Sequence, residues 1–184
     1  GWRKGREINV VGALRGAVHG TFAGNHLLLS CGARGLAVVD VSAPAKPSLA
    51  ARIPLEGARA AAVQFRYAFV ADRKGVAVVD LTDPTRPALT GGRLPLDDAR
   101  GVAVWRSWLA VAAGKQGLVL ADVTKPTTPT LLVVYDGAGD ADRAIDDATS
   151  LTIATTNAST FAYVADGRNG LRIVSLVEPA RVPG

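Results

Sequence analysis

Three arginines, Arg15, Arg59 and Arg100, each stand just ahead of a short stretch of small residues, with Thr149 in the corresponding fourth place. Guanidinium groups brought to one level by a repeated structure would converge, and converging guanidiniums bind an anion or an acidic side chain. Nearby carboxylates, Glu56, Asp97, Asp98 and Asp147, offer the plainer alternative of local ion pairs. A second set lies in DGAGDADRAIDDATS from Asp136, where Asp136, Asp140, Asp142, Asp146 and Asp147 sit among glycines. Carboxylates and backbone carbonyls on such a stretch suit Ca²⁺, but the spacing lacks the D-x-D-x-D-G and the closing Glu of an EF-hand loop. A solvated acidic loop is the favoured reading, and a Ca²⁺ site the weaker one. Trp105 and Trp108 bracket the segment Trp105-Arg106-Ser107-Trp108. Aromatic residues beside an arginine are the types that anchor protein contacts, although packing between structural units would account for at least one of them.

The rest of the inventory is poor in chemistry. The chain of 184 residues has one cysteine (Cys31), two histidines (His19 and His26), three glutamates (Glu7, Glu56 and Glu178) and no methionine. That set cannot build a His-rich metal site or a disulfide framework. No nucleophile, base and orienting group can be named together, Cys31 has no base near it in the repeat pattern, and neither a haem-attachment Cys-x-x-Cys-His nor a phosphate-binding Gly-Lys-Ser/Thr occurs. The expectation is therefore no catalytic residue and no cofactor in this chain. A formal charge of +5 and a pI near 9.8 favour an acidic partner. The basic residues are scattered beyond Arg3, Lys4 and Arg6, and aromatics are only 5%, which argues against a nucleic-acid surface. Every apolar run breaks well short of the ~20 residues of a membrane span. Since the first residue is Gly, the chain is expected to be a processed product or part of a longer polypeptide.

The elements that must position these residues come from a repeat. GLAVVDVSAPAKPSL from Gly35, GVAVVDLTDPTRPAL from Gly75, GLVLADVTKPTTPTL from Gly117 and GLRIVSLVEPARVPG from Gly170 align at spacings of 40, 42 and 53 residues. Asp40, Asp80 and Asp122 follow the glycine by five residues, and Pro44, Pro84, Pro126 and Pro179 by nine. Asp at such a strand end can accept hydrogen bonds from the amides that follow and hold the bend into the proline-rich connection, and Asp72 and Asp166 have the same turn role. Upstream of each glycine, HLLLSCGARG, YAFVADRKG, WLAVAAGKQG and FAYVADGRNG supply one strand and a tight turn, with a strand of small residues before and another after the prolines. Each repeat is then four short antiparallel strands, and four such units stacked radially make a β-propeller. The predicted units span about 15–57, 58–97, 98–145 and 146–184, preceded by a strand within about 6–14 that contains Ile8-Asn9-Val10-Val11. That strand would complete the last blade of a closed four-bladed ring or be the outer strand of a preceding blade.

YVADGRNGLRIVSL, FVADRKGVAVVDLTDPTRP and VAAGKQGLVLADVTKP resemble the LVIVD repeat family of prokaryotic β-propellers, over almost the whole chain from about residue 15. The resemblance implies a secreted or surface-associated protein in which the propeller accompanies other modules, in some members c-type cytochromes. It carries no catalytic residues.

The expectation is thus an all-β, propeller-like array of four four-stranded blades, part of a larger propeller or protein. Its function would be non-enzymatic protein contact through Trp105, Trp108, Arg15, Arg59 and Arg100, in the periplasm, outside the cell or on its surface, with a multihaem cytochrome as one candidate partner. The alternative is a metal-assisted hydrolase or anion-binding site at the central mouth.

Overall fold

The computed structural model describes residues 14–137, 144–157 and 159–176. The first blade consists of β1 (His19–Ala23), β2 (His26–Ser30), β3 (Leu36–Asp40) and β4 (Ser48–Ile53). The second holds β5 (Ala60–Gln64), β6 (Tyr67–Asp72), β7 (Gly75–Asp80) and β8 (Ala88–Pro95). The third holds β9 (Gly101–Trp105), β10 (Trp108–Ala112), β11 (Leu118–Asp122) and β12 (Thr130–Tyr135), and the fourth β13 (Ala148–Thr155), β14 (Thr160–Asp166) and β15 (Leu171–Ser175). Each is an antiparallel meander with strands in sequence order. Three blades have the expected four strands and the fourth has three among the described residues, because its next segment, from residue 177, lies outside them. The strand expected around Ile8–Val11 lies outside them too.

The repeat is legible in the backbone bonds. Asp40 Oδ1 accepts the amide of Ser42 at 2.8 Å, Asp80 Oδ1 that of Thr82 at 2.8 Å and Asp122 Oδ1 that of Thr124 at 2.7 Å. The Thr82 and Thr124 hydroxyls add a second bond of 2.6 Å to the same oxygen. These bonds from Thr82 and Thr124 hold Asp80 and Asp122 below the usual carboxylate range, and the Ser42 amide does the same for Asp40. The carboxylates stop the strand and set the bend. At the other end of that strand the anchor glycine has its own reason. Gly75 has φ of 113°, and a Cβ there would strike the carbonyl oxygen of Leu94 as the outermost strand passes. Only a residue without a side chain allows the outer strand so near at that angle.

Packing explains why β7 is buried along almost its whole length. Val76 and Val78 project into the core shared with blade 3, beside Leu109, Val111 and Val119. Ala77 and Val79 project the other way, against Leu28, Leu36 and Val38 of blade 1. A strand with neighbours on both faces must be apolar at every position rather than at alternate ones, and the run GVAVV meets that demand. Blades 3 and 4 share a third core around Leu118, Leu120, Val164 and Ile145. The innermost strands β1, β5, β9 and β13 stand side by side in that order. Small residues there, such as Ala60, Ala61 and Gly101, let them approach, and a Cβ on Gly101 would press on the Ser150 backbone. On the far side of blade 4, Leu171 and Ile173 are 60% and 58% exposed, where their counterparts Val76 and Val78 are fully buried.

Candidate functional site

The antiparallel meander gives the array two faces. One carries the turns between the two innermost strands of each blade, and the other carries the next turn together with the connections between blades. Both hold residues that the sequence singled out.

On the connection face, Arg59 and Arg100 occupy equivalent positions, since their amides bond the carbonyls of Ala71 and Ala112. In blade 1 the same bond, to Ser30, comes from Val18, so Val18 and not Arg15 fills that place. The inner strand of blade 1 starts three residues later than the sequence alignment had it, because the first strand runs through Gly20 to Ala23 and turns at Gly24-Asn25. The two arginines that do align are engaged. Asp98 lies between them, bonded to Arg59 Nη1 at 2.5 Å through Oδ1 and to Arg100 Nε at 2.8 Å through Oδ2. Arg100 Nη1 reaches on to Asp147 of blade 4 at 2.6 Å. The Asp147 amide bonds Asp166 Oδ1, whose other oxygen takes Arg172 at 3.2 Å. A ladder of alternating charge thus ties blades 2, 3 and 4 together. The Arg100 guanidinium, assisted by Arg59, holds Asp98 below the usual carboxylate range against the opposing effect of partial burial.

The ladder stops between blades 1 and 2. The residue equivalent to Asp98 and Asp147 is Gly57, and the residue equivalent to the buried Asp72 and Asp166 is Cys31, whose amide makes the same turn bond, to Gly35, that Asp166 makes to Gly170. In blade 2, Asp72 binds Arg93 with two bonds of 2.6 and 2.9 Å. In blade 1, Arg52 stands in the Arg93 position, opposite Ala37 as Arg93 is opposite Ala77. An open cleft of about 720 Å³ lies at this junction. Its walls carry Arg34, Arg52, Arg73, Lys74 and Arg93 against two carboxylates, Glu56 and Asp72. Lys74 pairs with Glu56 at 2.6 Å, and Arg34 donates to the Arg15 carbonyl. Arg73 lies across Gly57, where a Cβ would come within 2.9 Å of its Cγ. The repeat carries a partial sign of this site, since Gly57 stands where Asp98 and Asp147 stand, whereas Cys31 shares its place with Ala113 of blade 3 as well as with the two acids.

The opposite face carries the hairpin tips. Trp105 and Trp108 face each other across β9 and β10 with centroids 5.2 Å apart, and the Arg106 guanidinium sits 4.5 Å from the Trp105 ring. Arg106 has φ of 53°, and Phe65 in the equivalent turn of blade 2 has 52°. Two-residue hairpin turns need this left-handed conformation, and at Phe65 it holds a phenyl ring 92% exposed. Gln64 Nε2 donates to the Arg106 carbonyl and links the two tips. A hollow of about 420 Å³ separates the tryptophan tip from Thr155, Thr156 and Ser159 of blade 4. Phe65 escaped the sequence reading because nothing in the chain distinguishes an exposed turn aromatic from a core one.

Of the acidic segment, Asp140 and Asp142 lie outside the described residues. Asp146 accepts the Asn169 side-chain amide at 2.5 Å. Among the described residues no group of three His, Cys, Asp or Glu is gathered that could hold a metal ion. His19 is half-buried, which lowers its pKa, and its Nδ1 accepts the Ala61 amide at 3.4 Å. Cys31 is buried with its thiol toward the Leu29 carbonyl. Among the described residues no helix is long and apolar enough to cross a membrane.

The chain is similar to several solved structures. It matches the computationally designed Ika4 protein with a TM-score of 0.69 and 13% identity, over 94% of this chain and 99% of that one. It matches a chain of the Nidogen/Laminin complex with a TM-score of 0.62 and 13% identity, over 91% of this chain and 64% of that one. The β-propeller domain of Cps50 (Swd1) from Myceliophteria thermophila gives 0.55 and 17% identity, over 88% of this chain and 54% of that one. The chain thus spans less than two thirds of the latter two. Identities this low show the fold alone, an array of propeller blades. No protein of curated function matches the chain. The model of the LVIVD repeat matches residues 23–53, 58–92, 97–137 and 159–180, one match per blade and together well over half the chain. By its four blades and those four matches, the protein belongs to the LVIVD repeat family.

Proposed function

We propose that this propeller module works by binding rather than by chemistry, as a non-enzymatic scaffold for protein contact within a larger extracytoplasmic polypeptide or complex. The observation that carries the reading is the hairpin-tip face. Phe65 is 92% exposed and sits one blade from the Trp105–Trp108 pair and Arg106, with Gln64 joining the two tips. A phenyl ring held out in solvent on a hairpin turn has only two side-chain torsions to fix and so supplies contact area to a partner at low entropic cost. The acids support the same reading: Asp72, Asp98, Asp147 and Asp166 are each held by an arginine or a backbone amide of the blades themselves. A hydrolase at the central mouth would have to break those pairs before its carboxylates met a metal or a water. The extracytoplasmic setting, and a multihaem cytochrome as partner or companion module, rest on the family resemblance.

The test is a photo-crosslinking amino acid placed at Phe65, at Trp105 and, as a control, at Leu131 on an outermost strand, in the full-length protein in its own cells. A discrete adduct from positions 65 and 105 and none from 131 is expected, and haem absorbance of the adduct identifies a cytochrome partner. No adduct at the tips, or the same adducts from all three positions, refutes contact through this face.

A further inference from the structure

We propose that the cleft between blades 1 and 2 is a docking site for an acidic peptide segment of a protein partner, whose carboxylates supply from outside what the chain supplies to itself at the other junctions. The inference rests on the reading of the module as a binding protein, but on a different face and different residues. At the two later junctions a carboxylate of the chain meets an arginine of the preceding blade: Asp98 bonds Arg59 as well as its own blade's Arg100, and Asp147 bonds Arg100. At the first junction that column holds Gly57. The basic residues remain. Arg34, Arg52, Arg73, Lys74 and Arg93 line the cleft against Glu56 and Asp72, which leaves it positive. Asp72 is committed to Arg93 and Glu56 to Lys74. The Arg73 guanidinium has neither a carboxylate nor a hydrogen-bond acceptor among the described residues, and Arg34 has only a backbone carbonyl at 3.4 Å.

Two arginines on an open cleft recognise a planar carboxylate by paired N–H bonds better than a lysine would. The cleft is also partly apolar, with Pro54 and Leu89 on its walls and Leu89 46% exposed. A carboxylate-bearing chain with aliphatic side chains between its acids fits both features, whereas a small inorganic anion would use only the arginines. The turns that carry Arg34 and Arg73 are fixed by the Arg34 amide on the Cys31 carbonyl at 3.1 Å and the Arg73 amide on the Glu56 carbonyl at 2.9 Å. The cations are therefore preorganised on backbone that does not have to move.

The experiment titrates a fluorescein-labelled peptide of alternating Glu and Leu into the full-length protein and follows anisotropy at low and high salt. Binding is expected to weaken as salt rises and to disappear when every Glu is replaced by Gln. Arg73→Ala and Arg34→Ala should each weaken it by about tenfold, the scale of a lost charge-assisted contact. Both residues are exposed, so both variants should unfold at the parent's temperature. Gly57→Asp restores the missing carboxylate to the junction and should also weaken binding, while Lys46→Ala, in the exposed connection between β3 and β4, should leave it unchanged. No binding of the Glu peptide, equal binding of the Gln peptide, or insensitivity to both arginine variants overturns the proposal. Tighter binding of inorganic polyphosphate than of the peptide at the same arginines also overturns it, in favour of a phosphate site. Failure here leaves the crosslinks at Phe65 and Trp105 as an independent result, and failure there leaves this titration intact.

Discussion

The junction between blades 2 and 3 and the junction between blades 1 and 2 use equivalent backbone and opposite electrostatics. At the former, Asp98 closes a charge ladder between Arg59 and Arg100 over a core of Val76, Val78, Leu109 and Val111. At the latter, the core is as apolar, with Leu28, Val38, Val70 and Val79, but above it Gly57 stands in place of the bridging acid and a cleft lined by basic residues lies open. A repeat protein can thus vary its polar rim while its apolar layers stay constant, because the apolar cores shared between neighbouring blades hold the stack together and the exposed ion pairs add comparatively little. The rim is where one repeat can differ from the next without dismantling the apolar layers of the stack.

The largest way to break this contrast is at Asp72, the buried acid that blade 1 lacks. Asp72→Ala leaves the half-buried Arg93 without its two charge-assisted bonds, and a loss of about 3 kcal/mol in thermal or denaturant unfolding is expected. Double substitution with Arg93→Leu should recover part of that loss, which a purely steric effect of the alanine would not. Asp98 comes next. It is about a third exposed, so Asp98→Ala should cost only about 1 to 2 kcal/mol, with Arg59 and Arg100 both deprived.

The same carboxylate predicts a pH dependence. Because its folded pKa lies below the ordinary value of 3.8, Asp98 contributes stability that is present above that value and is lost as pH falls through the folded pKa. Denaturant midpoints measured downward from about pH 4 should therefore converge for the parent and Asp98→Asn, whereas above that pH they differ. An unchanged gap between the two across the acid range would show that the ladder does not operate through charge.

Gly57→Asp tests the other junction. Its φ of 81° strains any side chain, and its Cβ must displace Arg73, so a loss of about 1 kcal/mol is expected, less than at Asp72 or Asp98 because the obstructing atoms belong to a flexible side chain. The smallest effect is expected at the tips. Phe65→Ser removes a ring that touches little of its own protein and should move the unfolding midpoint by less than about 0.5 kcal/mol. A larger loss would mean that the ring is held by the fold rather than offered to a partner.

Particular residues show what was legible beforehand. The anchor glycines, the strand-ending Asp40, Asp80 and Asp122 and the apolar runs at a regular period all report local demands: a backbone angle, a bend, a two-faced strand. Such demands are met within a few residues of chain, so they can be seen in it. The arginine set was half legible. Arg59 and Arg100 share a place, but the third member of the column is Val18, since blade 1 starts its inner strand later than the pattern suggested. Pattern alone does not select Asp98 from the nearby acids as the partner of both arginines, since it is 39 residues from Arg59. The cleft was legible only as the missing acid at Gly57, for the gathering of basic side chains there depends on how two blades adjoin.

The chain by itself determined the blade: its strands, turns, period and family all follow from short-range pattern, where each residue answers to its own backbone and nearest strand. Only the tertiary structure decided which charges meet, because a Coulomb pair depends on distances between blades that sequence separation does not encode. The same holds for the face that leaves Phe65 in solvent and the junction that leaves Arg73 without a carboxylate among the described residues. Exposure and pairing are properties of the stack, and the stack exists only once the blades have closed on one another's apolar faces.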